Sequence, residues 1–343
     1  MIKLKKNLLA LFFVLLILVS GCSGKKDVKK SLEEIRTGTE GISVSFLPNN
    51  PPSTIHVAGT DTETVFDVVL ELRNRGAYPQ PDDEAKNQQV KIYISGYDNN
   101  LMKIDVIPDD VTRLITSLEG KSNVNVIGGT DIVTFKGKVT AANLKVEKYE
   151  PTLLATVCYR YFTTAGPSVC IDPDPYSTLS QKKVCEVNDI SLSDQGAPIA
   201  VTRIDEEAFQ DKTQFKISIK NVGNGDVIKK ESITDKCDPL ATAANKIGRD
   251  DVDKVSLEGV TIGDIELDCS PFADGSVKSK KGTMRIINGE AYIVCELNKA
   301  DYEAYRSSRT SFTTPLKIRL EYGYRTTAQR SLQIKKEISS ASS

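Results

Sequence analysis

The chain has 343 residues, a length that fits one to three domains. Its 39% apolar and 27% charged residues are the proportions of a folded globular protein, which excludes a disordered chain. The net charge of −1, without a concentrated basic stretch, excludes a nucleic-acid-binding protein.

The first 22 residues have the form of an export signal. Three lysines lie among the first six residues, and residues 8–18 are all apolar. A membrane span takes about 20 residues, so this shorter run predicts a signal peptide over residues 1–21. The run leads into Val19-Ser20-Gly21-Cys22, which resembles the lipobox of prokaryotic lipoproteins. The resemblance implies cleavage before Cys22 and acylation of its thiol; an uncleaved anchor helix ending in a free cysteine is the alternative.

A polar stretch rich in Lys, Glu, Gly, Thr and Ser follows over residues 22–41. Two acyl chains hold a protein stably at a bilayer, whereas one chain does not. We therefore predict a lipid-anchored stalk that holds the rest of the chain at the cell membrane, facing the extracytoplasmic side.

The rest of the chain contains an internal repeat. Residues 157–165 align without gaps on residues 320–328, and residues 70–76 align on residues 217–223. Matching segments in the same order indicate duplicated domains. The predicted organisation is a first domain over residues 42–171, a linker over 172–186, a second domain over 187–334 and a C-terminal tail over 335–343.

Apolar residues occupy every second position in both copies, as in strands with one buried face. Examples are Val68, Leu70 and Leu72 in the first copy, Phe215, Ile217 and Ile219 in the second, and Leu316, Ile318 and Leu320 near the end. Turn signals such as Asn-Gly separate these stretches. The fold class is therefore mainly β, as two tandem antiparallel β-sandwiches. Minor helices are predicted near residues 111–119, 240–247 and 298–305.

Two further resemblances concern the domains. The strand that ends in basic-Asn-x-Gly, at Arg73-Asn74-Arg75-Gly76 and Lys220-Asn221-Val222-Gly223, resembles the CARDB-like branch of immunoglobulin-like domains. This implies that both β-sandwiches are immunoglobulin-like and belong to a prokaryotic surface protein. Residues 150–335, with Cys170-Ile171-Asp172-Pro173 and the stretches 194–201 and 221–227, resemble uncharacterised surface proteins of small-genome (DPANN) archaea. That resemblance implies a lineage and no activity.

An even number of cysteines remains once Cys22 is taken as the lipid acceptor, and in an exported chain this predicts disulfides. A hairpin centred on Thr164 would place Cys158 opposite Cys170, so we favour that pair. The preferred pairing of the rest is Cys237–Cys269 with Cys185–Cys295. A Cys170–Cys185 bond, or buried free thiols, are the alternatives. The six candidates are Cys158, Cys170, Cys185, Cys237, Cys269 and Cys295.

Side chains suited to catalysis are few. His56 is the only histidine, and it lies in a strand-like run without a nucleophile beside it. Asp250, Asp251 and Asp253 are the best candidates for a Ca²⁺ site, although a solvated loop explains them as well. Acidic residues such as Asp172 and Asp174 offer the same chemistry. We predict no cofactor and no catalytic residue.

The alternating tyrosines at 159, 161, 322 and 324 are expected to pack in the core instead of forming a ligand platform. We therefore expect a non-enzymatic, membrane-anchored module of the cell surface that serves envelope assembly or adhesion. Its partner would be a surface protein or a glycan, and no nucleic acid. One alternative is a carbohydrate-handling or hydrolytic lipoprotein that uses paired carboxylates. Another is a solute-binding lipoprotein.

Overall fold

Strands make up most of the part of the chain that the structure describes. The computed structural model describes residues 36–59, 62–80, 83, 87–105, 118–177 and 183–337. The predicted signal peptide, Cys22, most of the predicted stalk and most of the predicted helix at 111–119 lie outside the described residues. Within them the fold is mainly β and its strands pair antiparallel with one exception, which confirms the predicted class.

The strands of residues 42–171, the first half, are numbered in chain order. They are β1 (Ile42–Phe46), β2 (Thr54–Val57), β3 (Glu63–Asn74), β4 (Lys91–Ser95), β5 (Met102–Ile104), β6 (Thr130–Thr140), β7 (Lys148–Tyr149), β8 (Thr152–Ala165) and β9 (Ser168–Ile171). Those that follow, in the second half, are β10 (Ile190–Ser191), β11 (Ile199–Ala208), β12 (Lys212–Asn221), β13 (Asp226–Ile228), β14 (Lys254–Ile262), β15 (Ile265–Glu266), β16 (Asp268–Ser270), β17 (Gly282–Arg285), β18 (Glu290–Asn298), β19 (Phe312–Ser331) and β20 (Gln333–Lys336).

Each half contributes one sheet of its own. The first half forms a four-stranded sheet in the order β1-β3-β6-β5, and the second half forms a five-stranded sheet in the order β10-β11-β12-β18-β16. Burial alternates along β3 and β12, as the sequence predicted. The buried residues include Val68, Leu70 and Leu72 in β3 and Phe215, Ile217 and Ile219 in β12.

A third sheet is shared by both halves. Its strand order is β15-β14-β19-β8-β4, and β8 of the first half pairs with β19 of the second from Thr152↔Ser331 to Ala165↔Ile318. Buried side chains of all three sheets belong to one hydrophobic core. The two predicted sandwiches are therefore joined through a common sheet, a feature that strand periodicity does not reveal.

The ladder between β8 and β19 lies on a pseudo-twofold axis. Arg160 faces Gly323 in this ladder, and the same two residues are equivalent in the sequence repeat. The tyrosines on either side obey the same symmetry, because Tyr159 faces Tyr324 and Tyr161 faces Tyr322. The two halves are thus related by a rotation that exchanges β8 with β19.

The favoured Cys158–Cys170 disulfide is wrong, because the chain does not turn at Thr164. Strand β9 pairs with the start of β19, and its register continues that of β8 across Gly166. Residues 152–171 therefore run along β19 in one direction. Cys158 and Cys170 lie twelve positions apart on this course, which at about 3.3 Å per residue separates them by about 40 Å.

All six predicted cysteines are nevertheless bonded. Cys158 bonds Cys237 and so joins the halves. Cys170 bonds Cys185, the pairing kept as an alternative. Cys269 bonds Cys295, which overturns the preferred Cys237–Cys269 and Cys185–Cys295 pairs. The physical reason is register, since Cys269 and Cys295 lie directly opposite each other in β16 and β18 with their Cα atoms 4.1 Å apart.

The end of the chain also joins the halves. Strand β20 pairs in parallel with β2 and antiparallel with β7, both of which belong to the first half. Lys335 and Lys336, predicted to belong to a C-terminal tail, are therefore strand residues.

Helices are minor, as predicted. The described residues contain α1 (Ser232–Lys236), which was not predicted, and α2 (Glu303–Ser307), which begins later than the predicted start at Asn298. A 3-10 turn at Ala243–Asn245 takes the place of the helix expected near residues 240–247. In the described ranges, no helix is both long enough and apolar enough to cross a membrane.

Candidate functional site

Four tyrosines mark the centre of the core. Tyr159 and Tyr161 project from β8, and Tyr322 and Tyr324 from β19, on the same face because they alternate along paired strands. All four are buried, and neighbouring rings lie with their centroids 5.7–6.4 Å apart. This confirms the prediction that they pack in the core.

In the first half, the Asn-x-Gly signature at the end of β3 holds one of these tyrosines. The hydroxyl of Tyr161 donates to Oδ1 of Asn74 at 3.0 Å, and it accepts a hydrogen bond from the backbone N–H of Tyr78 at 3.2 Å. The side-chain amide of Asn74 donates to the carbonyl of Tyr78 at 2.7 Å. A buried hydroxyl is thereby satisfied by a turn that follows the strand.

The second half repeats these contacts at the end of β12. Tyr324 donates to Oδ1 of Asn221 at 3.0 Å and accepts from the backbone N–H of Gly225 at 2.8 Å. The amide of Asn221 donates to the carbonyl of Gly225 at 3.0 Å. Because Asn221, Tyr324 and Gly225 are the repeat equivalents of Asn74, Tyr161 and Tyr78, the duplication extends to individual hydrogen bonds.

The glycine of each signature is required by this geometry. A Cβ on Gly76 would collide with the hydroxyl of Tyr161 and come within 2.5 Å of the carbonyl oxygen of Gly196. A Cβ on Gly223 would collide with the hydroxyl of Tyr324 and lie 2.8 Å from Pro198. The backbone can pass over the tyrosine hydroxyls only where no side chain is present.

The inner tyrosine of β19 has a full set of partners. The hydroxyl of Tyr322 lies 2.9 Å from Oγ1 of Thr163 and accepts a hydrogen bond from the backbone N–H of Ile199 at 3.4 Å. Thr163 in turn donates to the carbonyl of Ile199 at 2.5 Å. The start of β11 is thus fixed to the shared sheet.

The equivalent tyrosine of β8 is not held in this way. The hydroxyl of Tyr159 is buried and, among the described residues, makes only a weak contact with the backbone of Ile42. Thr326, the equivalent of Thr163, makes only a 3.4 Å hydrogen bond to the carbonyl of Ile42, the equivalent of Ile199. The start of β1 therefore stands farther from the shared sheet than the start of β11 does.

A cavity of about 170 Å³ opens at this place, between the start of β1 and the turn after β12. At the symmetric place in the other half the cavity volume is only about 20 Å³. There the N–H of Ala77 donates to the carbonyl of Gly196 at 2.7 Å, and the ring of Tyr78 packs against Phe162 with centroids 4.8 Å apart. The open cavity has Gly225 in place of Tyr78, so no ring fills it.

The cavity beside Tyr159 is lined partly by apolar residues, among them Ile42, Val44 and Pro198, and its polar side chains are mostly neutral. Its ionisable side chains are Glu40, whose carboxylate lies 3.4 Å from the guanidinium of Arg75, and the two tyrosines Tyr159 and Tyr324. Burial raises the pKa of Tyr324 to about 12 and that of Tyr159 well above its usual value, so both phenols stay protonated. Hydroxyl and amide side chains supply the remaining polarity, from Thr39, Ser43, Asn224, Thr326 and Thr327.

A network of charged side chains lies on the opposite face of the shared sheet. Glu321 is only 2% exposed and pairs with both Arg160 and Lys230, and Lys230 also binds Glu258 at 2.9 Å. Burial raises the pKa of Glu321 despite these cations. Lys230 thus binds both carboxyl groups, Glu258 and Glu321, which disfavours their use as a hydrolytic pair. The network ties β8, β19 and β14 together.

A second buried carboxyl group lies under the Cys170–Cys185 disulfide. Glu206 on β11 accepts a 3.4 Å hydrogen bond from the N–H of Cys170 through Oε2, while its Oε1 has no partner among the described residues. Burial raises the pKa of Glu206 to about 7, and the Cys170 hydrogen bond only partly offsets this. Sequence reasoning missed Glu206 because a charged residue in a strand is usually taken as solvent-facing.

The predicted metal candidates are engaged with protein groups. The carboxylate of Asp251 binds Lys236 at 2.9 Å, Ser232 at 2.8 Å and the N–H of Gly248 at 2.9 Å. Burial alone would raise the pKa of Asp251, but these hydrogen bonds outweigh it and lower the pKa to about 2. Asp250 and Asp253 flank this ion pair in the same loop. Across the described ranges, no three His, Cys, Asp or Glu side chains come together as a metal site would require.

The other candidates from the sequence are also placed. His56 is an exposed residue of β2, with its Nδ1 3.6 Å from the carboxylate of Glu337. Asp172 pairs with Lys183 at the edge of a polar groove of about 480 Å³ that Asp174 and Arg309 also line. These residues do not converge with the cavity beside Tyr159, which is the candidate site.

The sequence matches no protein-family model. No curated protein is significantly similar to it. The resemblances to lipoproteins, to CARDB-like domains and to archaeal surface proteins therefore stay predictions from the motifs that carry them.

Proposed function

We propose that this protein is a lipid-anchored module of the cell surface, without enzymatic activity, that binds a surface protein or a glycan outside the cytoplasm. The observation that carries the proposal is the division of the seven cysteines. Six form three disulfides, as in proteins that fold in an oxidising compartment. The seventh, Cys22, follows an apolar run in a lipobox-like motif.

The described fold suits presentation at a surface. The shared sheet, the Cys158–Cys237 bond and the pairing of β20 with β2 all join the two halves. Turns at the ends of the strands are then held in a fixed arrangement by a scaffold that resists unfolding. Binding residues are often found on such turns.

Acyl labelling tests the anchor. We expect the full-length protein, expressed in a prokaryotic host that makes lipoproteins, to incorporate a labelled fatty acid and to remain with the membrane fraction. Cys22→Ala removes the thiol and should abolish incorporation of the label. Ser23→Ala, which leaves the thiol in place, is the matched control and should be labelled. A Cys22→Ala protein that still takes up label would refute the anchor.

The alternative of a solute-binding or carbohydrate-handling lipoprotein is favoured by one observation, the cavity beside Tyr159. It is a recess in the body of the fold instead of a groove between mobile lobes. A hydrolytic role for the carboxyl pair Glu258 and Glu321 has less support, because both groups are bound to Lys230.

A further inference from the structure

Because the two halves are related by a pseudo-twofold axis, the cavity beside Tyr159 can be compared with the symmetric place in the other half. Thr39 and Asn224 line it, and their equivalents Gly196 and Ala77 are joined by a backbone hydrogen bond of 2.7 Å. Among the described residues no such bond joins Thr39 to Asn224. The same fold thus closes one site through its own backbone and leaves the other site open.

We propose that the open cavity beside Tyr159 binds one ring of a neutral saccharide. Most of the polar side chains that line it are hydroxyls and an amide. Ser43 and Thr326 already donate to backbone carbonyls, so Thr39, Asn224 and Thr327 remain to exchange hydrogen bonds with sugar hydroxyls. Its one carboxylate, Glu40, disfavours anions, and Arg75 already lies beside that carboxylate. An uncharged polyhydroxylated ligand is the class that matches this lining.

Size agrees with the same class. A cavity needs about 10–15 Å³ to admit a single water, and this one, at about 170 Å³, is more than ten times as large. It can therefore admit a group of the size of one sugar ring. A longer chain would have to leave through the open side, past Asn224 and Thr327, which are both exposed.

Tyr159 forms part of the inner wall of the cavity. Its hydroxyl has almost no surface open to a ligand and lies against the backbone of Ile42. Gly41 covers the hydroxyl, since a Cβ there would lie 2.7 Å from the oxygen. Tyr159 therefore shapes the cavity, and the hydrogen bonds to a ligand have to come from other side chains that line it.

Saccharide binding rests on the proposed function in one respect: a protein located outside the cytoplasm is exposed to the glycans of the cell envelope. The site itself depends only on the fold. Loss of acylation in the anchor experiment would leave saccharide binding unchanged, and loss of saccharide binding would leave acylation unchanged. The two proposals can therefore fail separately.

The test uses the full chain, purified in a detergent without a sugar headgroup, and saturation-transfer NMR with titration calorimetry. The probes are glucose, N-acetylglucosamine and short oligomers of each, at up to about 10 mM, because single sugar rings bind proteins weakly. Tighter binding of oligomers than of single sugars would indicate a polymer as the source of the ligand. Equal binding would indicate a free sugar. Saturation transfer to none of these probes would overturn the proposal.

A matched pair of variants locates the binding. Thr327→Trp adds a ring at the mouth of the open cavity, and Thr164→Trp adds the same ring at its symmetric equivalent beside the closed one. Both threonines are exposed strand residues, where Trp is tolerated. We expect Thr327→Trp to weaken binding at least about tenfold and Thr164→Trp to leave it unchanged. Equal weakening by both variants would contradict the location.

Discussion

The two halves of this protein differ at one symmetric position, where Tyr159 of the first half corresponds to Tyr322 of the second. Tyr322 is fixed by Thr163 and Ile199, and the neighbouring backbone closes over it. The equivalent neighbours of Tyr159 are Thr326 and Ile42. The hydrogen bond between these two is 3.4 Å long, and a cavity remains beside them. The hydrogen bonds of the outer tyrosines, in contrast, are the same in both halves.

This difference shows which contacts both copies retain and which contact only one copy makes. The Asn–Tyr contact satisfies buried polar groups at a strand end in each half, so losing it would be costly in either. The contact that closes the site depends on a short backbone approach and on the Tyr78 ring, which has no equivalent at Gly225. One copy can lose that contact while the other copy and the shared sheet hold the fold.

The largest effect should come from the disulfide that joins the halves. Cys158–Cys237 closes a loop of 79 residues, whereas Cys170–Cys185 closes one of 15. By loop entropy, replacing the first pair with alanine should lower the free energy of unfolding by about 4.5 kcal/mol, and replacing the second pair by about 3 kcal/mol. Denaturant unfolding of the two double variants without reductant measures both values.

The informative result is which of the two double variants loses more of the free energy of unfolding. If the halves were independent bodies, unfolding of the Cys158→Ala, Cys237→Ala protein would separate into two transitions. We expect one transition, because the shared sheet and β20 still connect the halves. A smaller loss for this variant than for the Cys170→Ala, Cys185→Ala protein would contradict the role given to the cross-link.

A second difference between the halves is a pH-sensitive group that only one of them has. Strand β1 ends at Phe46, which faces Leu70, but β11 continues beyond the equivalent position and carries Glu206 in the added part. The pKa of Glu206 is raised by burial to about 7, so the folded state holds its proton more tightly than the unfolded state does. The contribution of Glu206 to stability is therefore greatest below about pH 4.5 and is lost as pH rises to about 7.

We expect this loss to amount to about 3 kcal/mol, and Glu206→Gln to remove it, so that the variant is the more stable protein at pH 8. Denaturant unfolding between pH 4 and about pH 8 measures the effect. Glu296→Gln is the control of opposite sign, because Lys212 and Lys278 lower the pKa of Glu296 to about 2. That variant should be less stable than the original at neutral pH. A Glu206→Gln protein with an unchanged pH profile would contradict the burial argument.

Much of this arrangement is predictable from local sequence. Alternation at Val68, Leu70 and Leu72 predicted the strand and its buried face, because side chains repeat every two residues. The repeat predicted that Tyr161 and Tyr324 would be equivalent, and both make the same contact. Such features depend on residues close together in the chain.

What remained hidden depends on which distant strands pair. A hairpin at Thr164 and a continuous run through Gly166 are both compatible with the alternation of β8 and β9, and only the position of β19 decides between them. The Cys158–Cys170 prediction failed for that reason. The cavity was hidden as well. It exists because Ala77 hydrogen bonds to the chain before β11, whereas Asn224, at the aligned position, makes no such bond to the described residues before β1. The periodicity of the sequence does not show these contacts.

The smallest effect is the most direct test of the comparison between Tyr159 and Tyr322. Tyr322→Phe removes a hydroxyl that binds Thr163 and the N–H of Ile199, and it should lower the free energy of unfolding by about 1–2 kcal/mol. Tyr159→Phe removes a buried hydroxyl whose only polar contact within the described ranges is a weak one with the backbone of Ile42, so it should change stability by less than about 0.5 kcal/mol or stabilise the protein. Denaturant unfolding in the absence of saccharide measures both.

The sign of the change in the free energy of unfolding of Tyr159→Phe is the informative result. A hydroxyl that is desolvated without a hydrogen bond opposes folding, so its removal should not destabilise the apo protein. A loss as large as that of Tyr322→Phe would mean that the backbone of Ile42 satisfies the Tyr159 hydroxyl. The two inner tyrosines would then be held alike, and the difference between the halves would lie only in the backbone contact that closes one site and not the other.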